Sequence, residues 1–145
     1  ASTENICAAV GLSAALKQAA DSRDESTSNM NKLRNILADH LFNACPDIHI
    51  NGSLKDRLPG NLPLSIPGVD DQTLLPLLDL NGIEASAGSA CMAGSYVESH
   101  VLKAIGAPDR NGALRLTLGP DTTAAEIEEA VARIGRVIRS LQGKS

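Results

Sequence analysis

Residues 113–141 carry two different hydrophobic periods back to back, and no other stretch constrains the fold as much. In Ala113-Leu114-Arg115-Leu116-Thr117-Leu118 the apolar residues alternate, which predicts a strand with three leucines on one face and Arg115 and Thr117 on the other. A few residues later Thr123-Ala124-Ala125-Glu126 reads as a capping box. The helix it opens repeats Ile127, Ala130, Val131, Ile134, Val137, Ile138 and Leu141 at a period of 3.6, so that stripe needs a sheet or another helix to cover it. Arg115 is thereby held rigidly on the side of its strand opposite the leucines.

The preceding residues supply the partners. Ile6, Ala9, Val10, Leu16 and Ala20 predict a first helix, and Met30, Leu33, Leu37, Leu41 and Ala44 a second that ends before Pro46. Between them the polar run Asp21–Asn29 predicts a break, with Ser26, Ser28 and Asn29 as helix caps. Asp47–Ile50 predicts a short strand closed by Asn51-Gly52, and the alternation of Leu62, Leu64 and Ile66 predicts a second strand over Asn61–Ile66. Pro63 has no amide donor, which places that strand at a sheet edge or a bulge. Val69–Leu80 predicts a buried helix capped by Asp70, Asp71 or Thr73, in which Pro76 is tolerated if it sits in the first turn, with Asn81-Gly82 at its end. Ile83–Ser86 predicts a short strand, and His100–Ile105 a helical turn stopped by Gly106 and Pro108. The order predicts one α/β domain over residues 1–145, an α+β sandwich whose small, mostly antiparallel sheet is covered on one face by helices.

Composition narrows the function classes. With one Phe, one Tyr and no Trp the core must be aliphatic. A net charge of -4 with no Lys/Arg-rich run or aromatic platform argues against a nucleic-acid partner. No apolar stretch reaches the roughly 18 residues of a membrane span and no signal sequence is evident, so a cytoplasmic location without membrane attachment is expected. Cys7, Cys45 and Cys91 are widely spaced, as are His40, His49 and His100, so neither a disulfide framework nor a resident metal site is expected.

Chemistry concentrates at Ser86-Ala87-Gly88-Ser89-Ala90-Cys91-Met92-Ala93-Gly94-Ser95. These side chains are too small to build a core, and Gly88 and Gly94 bracket one thiol. Two readings stand on the residues alone: a tight turn with Cys91 as a small buried hydrophobe, or a loop presenting a nucleophile. A phosphate-cradling role is weaker, because neither GxxxxGK[ST] nor GxGxxG occurs. Cys7, within an aliphatic helix, and Cys45, at a helix end, read as packing residues. Arg115 is either a surface ion-pair partner or a two-pronged carboxylate site.

Arg57-Leu58-Pro59-Gly60-Asn61, Leu78-Asp79-Leu80, Ser86-Ala87-Gly88-Ser89-Ala90-Cys91, Ser99-His100-Val101-Leu102 and Leu114-Arg115-Leu116-Thr117-Leu118-Gly119 together resemble, in order, the C-terminal domain of cysteine desulfurases. These are pyridoxal-phosphate enzymes of the class V aminotransferase group. Ala1-Ser2-Thr3-Glu4-Asn5 is similar to the family's Gly-Thr-Glu-Asn segment, with Ser2 in place of the common Gly, and Ala87 stands where many relatives have Ser. The resemblance implies that Cys91 attacks the sulfur of L-cysteine held on the cofactor, leaving a persulfide on Cys91 and alanine as product. It implies that Arg115 binds the substrate carboxylate and that Thr3 contacts the cofactor phosphate of the other subunit in a homodimer. His100 falls in a family motif and is expected to be structural. The persulfide would pass to a sulfur acceptor or an iron–sulfur scaffold protein, and some relatives use the matching cysteine as a transient iron–sulfur ligand.

No Ser-x-His-Lys motif, the family's source of the cofactor-binding lysine, occurs in the chain. The expectation is therefore a C-terminal part of a longer enzyme, without the large pyridoxal-phosphate-binding domain and inactive by itself. The alternatives are a stand-alone sulfur carrier or interaction module that receives sulfur on Cys91, or a related lyase or aminotransferase in which Cys91 is incidental.

Overall fold

The computed structural model describes residues 3–87, 100–107 and 112–143. Along them lie α1 (Ile6–Ala44), β1 (His49–Ile50), β2 (Asn61–Ser65), α2 (Asp71–Leu80), α3 (His100–Ala104), β3 (Ala113–Thr117) and α4 (Ala124–Leu141). The strands form one antiparallel sheet in the order β1-β2-β3, with Leu62 opposite Leu116 and Leu64 opposite Leu114. This register puts the strand leucines on one face, where they join Ile66 and Leu118 in the core. α1 packs on β2 and α2 on β3, while α4 lies across those two helices. The expected α/β sandwich is thus present, a small antiparallel sheet covered on one face by helices, and the α4 stripe is covered by helices. Ile134 and Ile138 share the core with Leu37 and Leu41 from α1 and Leu74 and Leu78 from α2. Full burial of each such side chain contributes about 1.5–3 kcal/mol.

The ends of α4 and α2 follow from local chemistry. Thr123 accepts from the Glu126 amide while Glu126 accepts from the Thr123 amide, which is the full capping box. α2 stops at Asn81 and Gly82, the latter at φ +71°. Two glycines mark close backbone approaches that fix the sheet. A Cβ on Gly60 would overlap the Leu118 carbonyl, and one on Gly112 would overlap the carbonyls of Ile66 and Val69.

Four expectations are corrected. The predicted break at Asp21–Asn29 is absent, and α1 runs through it as one helix of 39 residues. That run contains neither Gly nor Pro, each of its polar residues disfavours a helix by only about 0.7 kcal/mol or less, and Ser22 donates back to the Gln18 carbonyl. Every residue from Ile6 to Glu25 is exposed, and α1 first enters the core at Leu33. Pro63 lies on the central strand, because β1 is only two residues long and ends before reaching it. Pro76 sits beyond the first turn of α2, where it and Gln72, whose carbonyl it leaves without a helical donor, are both exposed to water. That helix is only half-buried: Leu74 and Leu78 face the core and Leu80 is 81% exposed. Finally, Ile83–Ser86 is no strand; only Ser86 pairs, in a single antiparallel bridge with Arg115.

Candidate functional site

The face of the sheet away from the helices carries Asn61 and Pro63 from β2 and Arg115 and Thr117 from β3, as the period of 2 requires. Arg115 is exposed between buried Leu114 and Leu116. Its backbone is fixed on both sides. Toward the outer edge Ser86 and Arg115 exchange both amide-to-carbonyl bonds, and toward the centre Arg115 pairs with Pro63. Among the described residues the Arg115 guanidinium has no carboxylate or carbonyl partner, so its fork of five N–H donors is open to a ligand.

Pro63 gives Arg57 a role, and the loop beside it gives Arg34 one. Asn51 donates to the Pro63 carbonyl at 3.0 Å, continuing the β1–β2 register, but Pro63 has no N–H to return. Arg57 fills the gap. Its guanidinium donates to the Asn51 carbonyl at 2.6 Å, to the Ser53 carbonyl at 2.6 Å and to the Asn61 carbonyl at 3.3 Å. Arg34, buried in α1, donates to the Pro59 carbonyl at 3.1 Å and to Asn35 Oδ1 at 3.0 Å, bracing the next corner of the same loop. Burial, and then repulsion from Arg34, lowers the pKa of Arg57 from the ordinary arginine value. Asn51 and Ser65 close the inner end of this face with a reciprocal side-chain hydrogen bond, both residues being buried.

Of the residues predicted for the site, Arg115 stands where its alternation placed it. Thr3 is exposed ahead of Asn5, which caps α1 by accepting from the Ala8 amide. Some 40 Å of helix separate Ile6 from Leu33, the first core residue of α1, so the fold does not bring Thr3 to Arg115. His100 is exposed at the start of α3. Cys91, with Gly88 and Gly94, lies outside the described residues. Lys17, Lys32, Lys55 and Lys103 are all exposed, so none of these provides a buried amine for a cofactor. An exposed Thr3 hydroxyl beside a helix N-terminus is chemically suited to a phosphate oxygen.

The chain is similar to known proteins over nearly its whole length. Residues 1–130 match the aminotransferase class-V family, and the chain belongs to that family. Within it, similarity runs to cysteine desulfurases: 37% identity over 143 residues to the cysteine desulfurase IscS of Clostridium botulinum, covering 96% of this chain and 36% of that protein. It is also 37% identical over 153 residues to the IscS-like cysteine desulfurase of Mycobacterium tuberculosis, covering 99% of this chain and 39% of that one. A solved NifS-like protein superposes with a TM-score of 0.81 at 30% identity, covering 97% of this chain and 35% of the other. The chain thus spans little more than a third of the length of these relatives. No helix among the described residues is long and apolar enough to cross a membrane.

Proposed function

We propose that these 145 residues are the cysteine-bearing C-terminal part of a cysteine desulfurase, working with a pyridoxal-phosphate-binding large domain that they do not contain. The observation that carries the reading is the Ser86–Arg115 bridge. Cys91 follows Ser86 by five positions, at most about 18 Å of chain, so the thiol is tethered within reach of the substrate that the Arg115 fork would hold. In this mechanism Arg115 fixes the carboxylate of L-cysteine by two parallel hydrogen bonds, which orients the substrate sulfur. Cys91, having lost its proton, attacks that sulfur: an S–S bond forms as the substrate C–S bond breaks, and the carbon takes the bonding electrons and then a proton to leave as alanine. Pyridoxal phosphate, when bound, supplies the electron sink that makes this cleavage accessible.

Thr3, about 40 Å along α1 from the core, is read as a contact to the cofactor phosphate of a second subunit in a homodimer. The persulfide would then pass to an acceptor or iron–sulfur scaffold protein in the cytoplasm, with Cys91 able to serve as a transient iron–sulfur ligand there. Mass spectrometry of the complete enzyme after one turnover of L-cysteine tests the assignment. A mass gain of one sulfur on the Cys91 peptide is expected, and the same gain on Cys7 or Cys45 instead would overturn it. The 145 residues alone, given pyridoxal phosphate and L-cysteine, should release no sulfide.

A further inference from the structure

We infer that Pro63 is a positioning residue for Arg115, a rigid wall that pre-orders the guanidinium for its carboxylate. This rests on the reading of Arg115 as the substrate-carboxylate site. Both backbone groups of Arg115 point outward to Ser86, so the Pro63–Arg115 pair exchanges no hydrogen bond across β2 and β3. That is the closer of the two antiparallel pairings, with Cα atoms about 4.5 Å apart and side chains correspondingly near. Both residues project to the open face. The pyrrolidine ring has no rotamers and stands against the root of a long side chain that has no other partner among the described residues. Arg115 therefore has fewer conformations to lose when it binds than an arginine beside a flexible neighbour.

A proline on a central strand is otherwise a liability, since it removes a ladder bond. Here the lost bond is replaced by a dedicated donor, Arg57, on the Asn51 carbonyl. Compensation that specific shows that the chain tolerates Pro63 at this position without leaving a buried acceptor empty. The placement opposite Arg115 gives a reason for having it there.

The test uses the complete holoenzyme and two readouts: kcat and KM for L-cysteine, and calorimetric binding of L-alanine, which presents the carboxylate without the reacting sulfur. Pro63→Ala is expected to raise KM and weaken L-alanine binding by about three- to tenfold with kcat unchanged. Pro63→Val, which restores a stiff branched side chain, should recover most of that loss. In an Arg115→Lys background, where the fork is already gone, Pro63→Ala should have no further effect. If Pro63→Ala folds poorly, Pro63→Ser carries the same comparison. An equal loss in both backgrounds, or no loss in either, overturns the inference while leaving the carboxylate reading intact if Arg115→Lys alone weakens binding. If Arg115→Lys alone changes nothing, the carboxylate reading fails and the inference with it.

Discussion

Replacing Arg57 by Ala tests how the sheet accommodates its central proline. The substitution removes three hydrogen bonds, to the carbonyls of Ser53, Asn61 and Asn51. They are not equivalent. Ser53 is exposed and Asn61 half-buried, so water can replace the guanidinium there at little cost. Asn51 is only 2% exposed, and its carbonyl would lose the donor that replaces the one Pro63 lacks. A buried acceptor left empty costs about 1–3 kcal/mol, and the relief of repulsion between Arg57 and Arg34 offsets a part of it. The net expectation is a loss of about 2 kcal/mol, readable as a shift in urea midpoint at constant m-value, or as a fall in Tm of roughly 4–8 °C. The decisive comparison is with Pro63→Ala, which returns an N–H facing the Asn51 carbonyl. In that background Arg57→Ala should cost about 1 kcal/mol less. Costs that agree within about 0.5 kcal/mol in the two backgrounds would refute the idea that Arg57 stands in for the missing proline donor.

Other substitutions read different parts of the fold. Gly60→Ala drives a methyl into the Leu118 carbonyl and should cost about 3 kcal/mol, whereas Gly119→Ala, with open space around it and no positive φ, should stay within about 0.5 kcal/mol; thermal melts compare the two. Leu64→Ala should cost about 2–5 kcal/mol in urea unfolding and Leu80→Ala less than about 0.5 kcal/mol, because one is buried under α1 and the other is in water. Glu126 accepts two hydrogen bonds from Thr123, which hold its carboxyl below the ordinary value of 4.5. Its folded-state pKa being lowered, the stabilising contribution is complete above the unfolded-state value and is lost as pH falls through the folded one. The Tm advantage of the parent over Glu126→Gln should therefore hold at neutral pH and vanish in strong acid; an advantage undiminished near about pH 2 would contradict the capping geometry.

What could be read from the sequence was whatever depends on near neighbours. The leucine alternation of β3 fixes which side Arg115 takes, and Thr123 with Glu126 fixes where α4 begins, because each signal lies within a few residues. The break expected at Asp21–Asn29 failed for a quantitative reason: residues that favour caps are only weakly averse to a helix interior, and with no Gly or Pro present nothing stops a helix already under way. The edge assignment of Pro63 failed for a different one. Which side a missing N–H faces depends on pairing register, and register joins residues some fifty positions apart. Arg57, which entered only as part of a motif, and Arg34 were given no structural role for another reason: carbonyl acceptors leave no mark in a sequence. The exposed Arg115 fork was legible; the proline beside it was not.

The length of α1 has a mechanical consequence. Its last turns are set in the core from Leu33 to Leu41, while Ile6 stands about 40 Å away along the axis with nothing else of the described chain against it. Such a rod is a pointer. A tilt of roughly 5° at the embedded end would sweep Ile6 through about 3.5 Å, more than the length of a hydrogen bond. The direction in which the Thr3 end is aimed is therefore set by how Leu37 and Leu41 seat against Ile134 and Ile138, and a small change in core volume there would be felt as displacement at the opposite tip.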